Sequence, residues 1–436
     1  MTVVNQGTIS GEEGSRIVDA ENVSILNSGL IESSEVLIGT NALQIDSSIN
    51  ADVVNSGTIR NSTASPASAI ATAAMMFNSD QTGSRFELTN TGLISGPNWA
   101  LHSRAETTEV TNGGFLDGGV NVEILPGATA RFDNTDTGVV AGDVQVFSEA
   151  TVINSGIMRG SVTMSAEADS FRGFGGTVTG SISGGDGDDQ FFIDQADADV
   201  DGGGDSDTVY LRSDLGSVAD VELIQMQGAG GYRVFDDDSA TQINGNSGNN
   251  LISGAGGNDT LRGGQGNDDL RGGDDDDLII GNSGDDEIDA GNGADTVFGG
   301  VGNDEILGGF GNDLIAGGAG DDTILSGRAQ DTISGGGGAD TFVFEDALDA
   351  GSGSSADRID NFVRGVDVID LIALGSTPAS FIGTTGFSGG GDMEVRYTVN
   401  PFGNALVRID EDGNGTEDAR IVVSQTAMLE AGDFLL

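Results

Sequence analysis

Residues 299–325 read GGVGNDEIL, GGFGNDLIA and GGAGDDTIL, three consecutive copies of one nine-residue pattern. The pattern is Gly-Gly-x-Gly-x-Asp-x-U-x, in which U is a large apolar residue. Eleven such units run without insertion from Gly245 to Val343, and position eight is apolar in all of them. Position six is Asp in every unit except the first, which has Asn250. A period this strict indicates a repeat architecture.

Each unit combines a tight turn with a short strand. Glycine adopts positive φ at little cost, so the Gly-rich half can bend sharply. The x-U-x half is a strand of three residues whose central side chain points inward. Two units then complete one coil with a thin aliphatic interior, and the coils stack on one another over residues 245–343.

The charge of these repeats predicts cations as partners. The chain has a formal charge of −53, and residues 245–343 alone carry a net −16. Such a charge repels nucleic acid and anionic membrane surfaces. Ca²⁺ takes about six to eight hard oxygen ligands, and the turn offers both carbonyl oxygens and a carboxylate. We therefore expect Ca²⁺ ions between neighbouring coils.

The predicted metal ligands are the aspartates at position six, which stack in two rows because units on the same edge lie two apart. The first row contains Asp259, Asp277, Asp295, Asp313 and Asp331. The second row contains Asn250, followed by Asp268, Asp286, Asp304, Asp322 and Asp340. Two separate units upstream add Asp189 and Asp207, the latter with Asp205 in place of a glycine. Weaker or missing sites are expected where the pattern is broken, at Asn250, Ala290, Ser326 and Ala329.

Residues 1–180 carry a looser motif, apolar–x–Asn–x–Gly–x–apolar, as in VVNSGTI at Asn55 and VTNGGFL at Asn112. Its seven copies are 20 to 35 residues apart, which suits one coil of a parallel β-helix, with loops such as residues 62–76 in the longer intervals. Asn and Gly tolerate the left-handed backbone of the turns, and stacked Asn side chains can hydrogen-bond along the stack.

The sequence therefore predicts an all-β chain of four parts. A right-handed parallel β-helix is expected over 1–180 and degenerate coils over 181–244. It would continue into the calcium-bound parallel β-roll over 245–343 and a β-rich cap over 344–436 that covers the open end.

The repeats resemble the RTX, or haemolysin-type, calcium-binding repeat family, whose fold is the parallel β-roll. The stretches GADTFVFEDALDAG (338–351) and DRIDNFVRGVDVIDLIAL (357–374) resemble the C-terminal domain of serralysin-like secreted proteins. In that family a chain end such as Asp433-Phe434-Leu435-Leu436 belongs to an uncleaved type I secretion signal. The N-terminal part resembles the β-helical, adhesin-like segments of bacterial surface proteins.

These resemblances imply a protein that uses the type I secretion machinery and is secreted, extracellular or associated with the cell surface. Low cytosolic Ca²⁺ would keep the repeats unfolded for export, and external Ca²⁺ would fold them. The N-terminus, MTVVNQGTIS, shows no basic segment before an apolar run, so we expect no cleavable leader. We also expect no transmembrane segment, since no apolar run is long enough to span a bilayer.

The composition argues against catalysis. One His and no Cys exclude an HExxH zinc site and a Cys nucleophile, so the serralysin protease domain is missing. We expect a non-catalytic protein with His102 on the surface. A polysaccharide lyase or mannuronan epimerase is the enzymatic alternative, but the epimerase motif ending Asp-Pro-His is absent because Leu101 precedes the His. A cell-surface adhesin is the binding alternative, and an extracellular polysaccharide is a candidate partner of either.

One further acidic loop has the spacing of a metal site. It contains Asp410, Asp412, Asn414 and Asp418 in DEDGNGTED. No Glu follows at the distance of an EF-hand. The spacing leaves open a calcium site or a plain acidic turn.

Overall fold

The structure is a computed structural model that describes residues 1–436 except 12–14, 19, 34–40, 47–48, 62–72, 80, 124–127, 195–198, 352–354, 375–378 and 427. The chain divides into two compact units, Met1–Leu223 and Ile224–Leu436. Both consist of short β-strands, and one turn of 3-10 helix covers Ala431–Asp433. The predicted all-β, parallel solenoid class is confirmed.

The strands of the first unit form two parallel sheets. One sheet contains Thr2–Asn5, Asn22–Asn27, Asn50–Asn55, Arg85–Asn90, Thr107–Asn112, Thr129–Asn134, Glu149–Asn154, Ser170–Gly173, Gln190–Ile193 and Thr208–Leu211. The other contains Thr8–Gly11, Ser15–Val18, Leu30–Ser33, Leu43–Asp46, Thr58–Asn61, Ala73–Asn78, Leu93–Arg104, Phe115–Val122, Val139–Val140, Val144–Val146, Ile157–Met158, Val162–Thr163, Thr177–Val178, Ile182–Gly185, Val200–Gly203 and Val218–Ala219. A further strand, Leu223–Met226, lies where the chain divides.

The motif asparagines form a ladder along the first of these sheets. They occupy one register position on successive strands and are at most 5% exposed: Asn5, Asn27, Asn55, Asn90, Asn112, Asn134 and Asn154. Each Nδ2 donates to the Oδ1 of the next Asn at 2.8–2.9 Å. This confirms the predicted asparagine stack. The predicted loop at 62–76 lies mostly outside the described residues, and its last residues begin the strand Ala73–Asn78.

Apolar side chains in the same sheet supply the core of the first unit. Val53, Leu88, Val110, Phe132 and Val152 follow one another in register and are buried. Burial of each such side chain stabilises the fold by about 1.5–3 kcal/mol. Strand alternation thus places one apolar column and the asparagine ladder on the same inward face.

The second unit also contains two parallel sheets, and successive repeats alternate between them. One sheet contains Gln242–Asn244, Thr260–Gln265, Leu278–Ser283, Thr296–Val301, Leu314–Ala319, Thr332–Gly337 and Asp357–Asp360. The other contains Arg233–Phe235, Leu251–Ala255, Asp269–Asp274, Glu287–Asn292, Glu305–Phe310, Thr323–Leu325, Thr341–Val343, Val368–Asp370 and Phe434–Leu435. All eleven apolar residues at position eight are at most 1% exposed, from Ile252 to Phe342. Two units therefore make one coil, as predicted.

The parallel sheets extend beyond the last repeat. Ile359 stacks in register on Ile333, and Ile369 stacks on Phe342, which adds a coil without the glycine pattern. The final strand, Phe434–Leu435, pairs with Val368–Asp370.

Three further strands, Glu394–Val399, Ala405–Asp410 and Ala419–Val423, pair antiparallel in sequence order, and Ser380–Gly383 pairs parallel with the first of them. Because Ala419–Val423 also pairs with Asp357–Asp360, this group covers the open edge of one sheet.

The asparagine ladder gives a direct test of the first unit. Asn112→Ala leaves the Nδ2 of Asn90 and the Oδ1 of Asn134 without their partner. We expect a loss of about 2–4 kcal/mol in the free energy of unfolding, since each unsatisfied buried group costs about 1–3 kcal/mol. Urea unfolding followed by Trp fluorescence reports on this unit, because the single tryptophan is Trp99.

The control is Thr111→Ala, on the same strand but exposed. It should change the free energy of unfolding by no more than about 0.5 kcal/mol. Equal effects of the two substitutions would show that the ladder does not stabilise the unit.

Candidate metal centre

The position-six carboxylates lie inside the glycine turns, next to the first residue of the same unit. Positions two and four adopt positive φ, as at Gly300 (123°) and Gly302 (143°), which closes the turn and brings Asp304 back over Gly299. The Oδ2 of Asp304 lies 2.4 Å from the point where a Cβ on Gly299 would stand. Across the ten units that have Gly at position one and Asp at position six, with the units of Asp189 and Asp207 included, this distance is 2.0–3.0 Å. In these units a Cβ at position one would therefore collide with the carboxylate, and glycine avoids this collision.

One oxygen of each carboxylate joins a ladder between coils. The backbone amide of Asp268 donates to Oδ1 of Asp286 at 2.8 Å. The amide of Asp286 donates to Oδ1 of Asp304 at 2.9 Å, and that of Asp304 to Oδ1 of Asp322 at 2.9 Å. The other row repeats the arrangement, for example from Asp277 to Asp295 at 2.8 Å. The structure thus brings together the residues of each predicted row.

The other oxygen, Oδ2, is buried and has no hydrogen-bond partner in any of the twelve predicted aspartates. These are Asp189, Asp207, Asp259, Asp268, Asp277, Asp286, Asp295, Asp304, Asp313, Asp322, Asp331 and Asp340. All twelve residues are at most 3% exposed. A buried anionic oxygen without a partner is costly, so each turn has an unmet requirement for positive charge.

Carbonyl oxygens lie beside these unpartnered carboxylate oxygens. The carbonyl oxygen of Gly317, one coil on, is 2.5 Å from the Cβ point on Gly299 that Oδ2 of Asp304 also approaches. The same pair of oxygens meets at Gly281, where the atoms belong to Asp286 and Gly299. Hard oxygens from a carboxylate and from the main chain are the ligands that Ca²⁺ takes. The residues present therefore fit a calcium ion between coils.

Burial raises the pKa of these carboxyl groups. It brings the pKa of Asp189, Asp259, Asp268, Asp277, Asp313 and Asp322 to about 7. It brings the pKa of Asp207, Asp286 and Asp331 to about 6, and it also raises the pKa of Asp295, Asp304 and Asp340. The donated backbone amides oppose the shift without cancelling it. The carboxyls with a pKa of about 7 are partly protonated at neutral pH without metal, and a cation must displace those protons.

Asn250 shows what occupies the space between coils where the Asp is missing. Its Oδ1 accepts the amide of Tyr232 at 3.2 Å, as a position-six Asp would. Its Nδ2 lies 2.9 Å from the carbonyl oxygen of Gly248, 3.4 Å from that of Gly263 and 3.1 Å from Oδ1 of Asp268. The amide group, with its positive hydrogens, thus faces two carbonyl oxygens and a carboxylate.

The other broken positions differ from one another. Ala290 is buried at position one of its unit, yet the Oδ2 of Asp295 remains unpartnered. The Ser326 hydroxyl, also at position one, donates to Oδ2 of Asp357 at 3.1 Å. Ala329 has a φ of 105°, in the region that glycine favours. The weakness expected of the sites near these residues stays a prediction.

Sequence reasoning missed three aspartates that extend the ladders, Asp169, Asp357 and Asp367. Asp169 precedes Asp189 in the ladder, and its backbone amide donates to Oδ1 of Asp189 at 2.7 Å. At the other end, Oδ1 of Asp357 accepts the amide of Asp331 at 2.9 Å. Oδ1 of Asp367 accepts an amide in the same way at 3.2 Å.

Their second oxygens are already used. Ser165, Ser326 and Val363 donate to the Oδ2 atoms of Asp169, Asp357 and Asp367 respectively. These three residues therefore close the ladders through hydrogen bonds alone. The signal that could have identified them is Asp-x-apolar without the glycines, as in DSF, DRI and DVI.

His102 is buried, so the expectation of a surface position is wrong. It is 6% exposed, and its Nε2 lies 3.6 Å from Oε1 of Glu123. Burial lowers the pKa of this imidazole, against the attraction of Glu123.

The acidic loop near the C-terminus holds Asp410, Asp412 and Asp418 with carboxylate oxygens within 4.8 Å of one another. Asp410 accepts the amides of Asn414 and Gly415 at 3.0 and 2.8 Å. The backbone of the loop thus satisfies Asp410, and both interpretations of the loop stay open.

Two family models match the C-terminal half. Residues 237–270 match the RTX calcium-binding nonapeptide repeat (4 copies), and residues 255–436 match the Peptidase M10 serralysin C terminal. This part of the chain therefore carries RTX repeats, which bind calcium, and a serralysin-type C-terminal domain. The predicted resemblances to the RTX repeats and to the serralysin C-terminal domain are confirmed, and so is calcium as the cofactor.

Among solved structures, the chain is similar to the AlgE6R3 subunit from the Azotobacter vinelandii mannuronan C5-epimerase. The match has 29% identity and a TM-score of 0.20, and it covers 36% of this chain and 78% of that one. The search of curated proteins gave no match. In the part of the chain that the structure describes, no helix is long and apolar enough to cross a membrane.

The raised pKa values predict opposite pH dependences with and without metal. The unfolded carboxyls have an ordinary pKa of 3.8, and the folded ones reach about 7, so the folded metal-free roll binds more protons between these values. Its stability should therefore fall as the pH rises from about 4 to about 7. Calcium competes with those protons, so calcium affinity should rise over the same range.

Thermal unfolding by circular dichroism at pH 5 and pH 8 tests this prediction. Calcium-free protein should have the higher unfolding midpoint at pH 5, and calcium-saturated protein the higher midpoint at pH 8. The same order in both conditions would contradict the assignment of the carboxylates to the metal.

The contacts of Asn250 predict that one substitution adds a metal site. Asn250→Asp replaces the Nδ2 donor by an oxygen that faces Gly248, Gly263 and Asp268. We expect one more Ca²⁺ per chain in equilibrium dialysis. Asn249→Asp makes the same charge change at an exposed neighbour and should leave the count unchanged. An unchanged count in both variants would show that the oxygens around Asn250 do not form a cation site.

Proposed function

We propose that this chain is a secreted, non-catalytic calcium-binding RTX protein whose repeats fold on binding Ca²⁺ outside the cell. Its N-terminal parallel β-helix is the part that contacts an extracellular or cell-surface partner, with a polysaccharide as one candidate. The observation that carries the proposal is the set of twelve buried Oδ2 atoms without a hydrogen-bond partner. A cation between stacked coils satisfies an anionic oxygen of this kind.

The metal ligands of this proposal are the twelve position-six aspartates. They are Asp189, Asp207, Asp259, Asp268, Asp277, Asp286, Asp295, Asp304, Asp313, Asp322, Asp331 and Asp340. Carbonyl oxygens of the glycine turns complete the coordination. Bound calcium would supply the positive charge that residues 245–343, with a net charge of −16, lack.

Dependence of folding on calcium suits export through a type I secretion machinery. The serralysin-type C-terminal domain supports this route. In the folded chain Asp433 and Phe434 are buried and the last strand is paired, so a signal at this end would be read before folding. Low cytosolic calcium would provide that interval, because a chain whose metal sites are empty gains nothing from ordering them.

We infer a non-catalytic protein because the sequence contains few side chains that commonly act as nucleophiles or general bases. The only imidazole is buried and its pKa is lowered, and the sequence has no thiol. The adhesin alternative shares the fold and the export route with a freely released protein, and the two differ in whether the protein stays on the cell surface.

Calcium-dependent folding is tested with protein dialysed free of divalent metal at neutral pH. We expect circular dichroism to show loss of strand content, full recovery with millimolar CaCl₂, and little recovery with MgCl₂, because Mg²⁺ demands a strict octahedron and keeps its water. Spectra that do not change when calcium is added would refute the proposal.

Asp304→Asn tests whether the position-six residues are the ligands. At a calcium concentration about 100 times its dissociation constant, each lost site costs about 2.7 kcal/mol of stability. The control is Asp289→Asn, which makes the same charge change at an exposed residue next to the same row. Equal calcium-dependent stabilisation of the two variants would exclude Asp304 as a ligand.

A further inference from the structure

Residues 236–244, DDDSATQIN, occupy the place of one more repeat unit ahead of Gly245. Ile243 takes position eight, in register with Leu261, and both are buried. Thr241 takes position six, and its amide donates to Oδ1 of Asp259 at 2.8 Å, as the aspartates of the row do. Position one, which is Gly in most units, is Asp236. This unit therefore carries its carboxylate at position one, whereas the regular units carry it at position six.

Positions one and six face the same space. In the regular units Oδ2 of the position-six Asp lies 2.0–3.0 Å from the Cβ point of position one. A side chain at position one therefore enters this space from the opposite side. Asp236 is held in that register, since its amide donates to the carbonyl oxygen of Ser253, next to Gly254.

Asp236 presents an unsatisfied carboxylate there. Both of its carboxylate oxygens are buried and lack a hydrogen bond of normal geometry. Burial raises the pKa of this group to about 7, opposed by the nearby Thr241 side chain and the Asp237 amide. In the next coil, the Oδ2 of Asp259 is also buried without a partner. Burial is the largest cause of the raised pKa of Asp259, and the negative charges of Asp277 and Asp236 raise it further.

The start of the other row shows which atoms converge at this point. There the Asn250 amide nitrogen contacts the carbonyl oxygens of Gly248 and Gly263 and the carboxylate of Asp268. By position in the repeat, the equivalent atoms at the start of the first row are the carbonyl oxygens of Ser239 and Gly254 and the carboxylate of Asp259, which lie beside Thr241, the counterpart of Asn250. One row therefore begins with a donor among these oxygens and the other begins with a carboxylate.

We propose that Asp236 and Asp259, with the carbonyl oxygens of Ser239 and Gly254, form an additional Ca²⁺ site at the start of the first row. This site lies outside the position-six pattern, and it rests on the proposed function of the repeats. Asp236 supplies from position one the carboxylate that Thr241 cannot supply from position six. A cation between Asp236 and Asp259 satisfies oxygens on both coils.

The test removes the carboxylate from position one, restores it at position six, and measures the number of Ca²⁺ ions bound per chain. In equilibrium dialysis against CaCl₂, Asp236→Gly should bind one ion fewer per chain than the unsubstituted protein. The double variant Asp236→Gly/Thr241→Asp follows the regular pattern and should recover that ion. Asp238→Asn, at an exposed neighbour, should bind the same number as the unsubstituted protein.

Each outcome decides the proposal. An unchanged count in Asp236→Gly would overturn it. A lower count that the double variant does not recover would also overturn it, because the loss would then reflect a damaged coil. If the unsubstituted protein binds no calcium, the proposed function itself fails, and this result is distinct from a failure confined to Asp236.

Discussion

The structure depends on whether identical polar side chains, stacked on successive parallel coils, can satisfy one another by hydrogen bonds. An asparagine amide has a donor and an acceptor, so the ladder from Asn5 to Asn154 satisfies itself, with Nδ2 to Oδ1 distances of 2.8–2.9 Å. An ionised aspartate has only acceptors. Its Oδ1 takes the amide one coil away, and its Oδ2 remains without a partner. The asparagine ladder therefore needs no metal, whereas the aspartate turns, which include those of Asp189 and Asp207 in the first unit, require a cation.

This contrast also explains the ends of the rows. Within an aspartate row, Asn250 needs no metal, because its amide nitrogen donates hydrogen bonds to the oxygens that would otherwise coordinate the ion. At the other end of that row Asp367 receives hydrogen bonds on both oxygens, and Asp357 does the same at the end of the first row. A row that begins and ends in hydrogen bonds confines the metal to its interior, where the glycine turns leave room for it.

The strict features of the sequence predicted the structure well. Position eight, from Ile252 to Phe342, fixed the inward face, and position six fixed the buried carboxylates, since both properties repeat without interruption. The asparagine motif likewise predicted its ladder, because each copy places Asn before a turn. The coil through Asp357 and Asp367 was not predicted, because it keeps Asp-x-apolar but loses the glycines on which the repeat was recognised. The burial of His102 depends on the surrounding fold, and no local pattern reports it.

The energetic role of glycine in the repeats differs from its usual role in turns. Positive φ at positions two and four could be met at some cost by Asn or Asp, and Asn282 and Asp275 do so here. Position one is more demanding, because a Cβ there would stand 2.4 Å from Oδ2 of Asp304 and 2.5 Å from the carbonyl oxygen of Gly317. The first glycine therefore keeps open a space lined by oxygens. Its replacement by Ser326 fills that space with a hydroxyl donor, and its replacement by Asp236 fills it with another carboxylate, so position one helps to decide whether a coil needs metal.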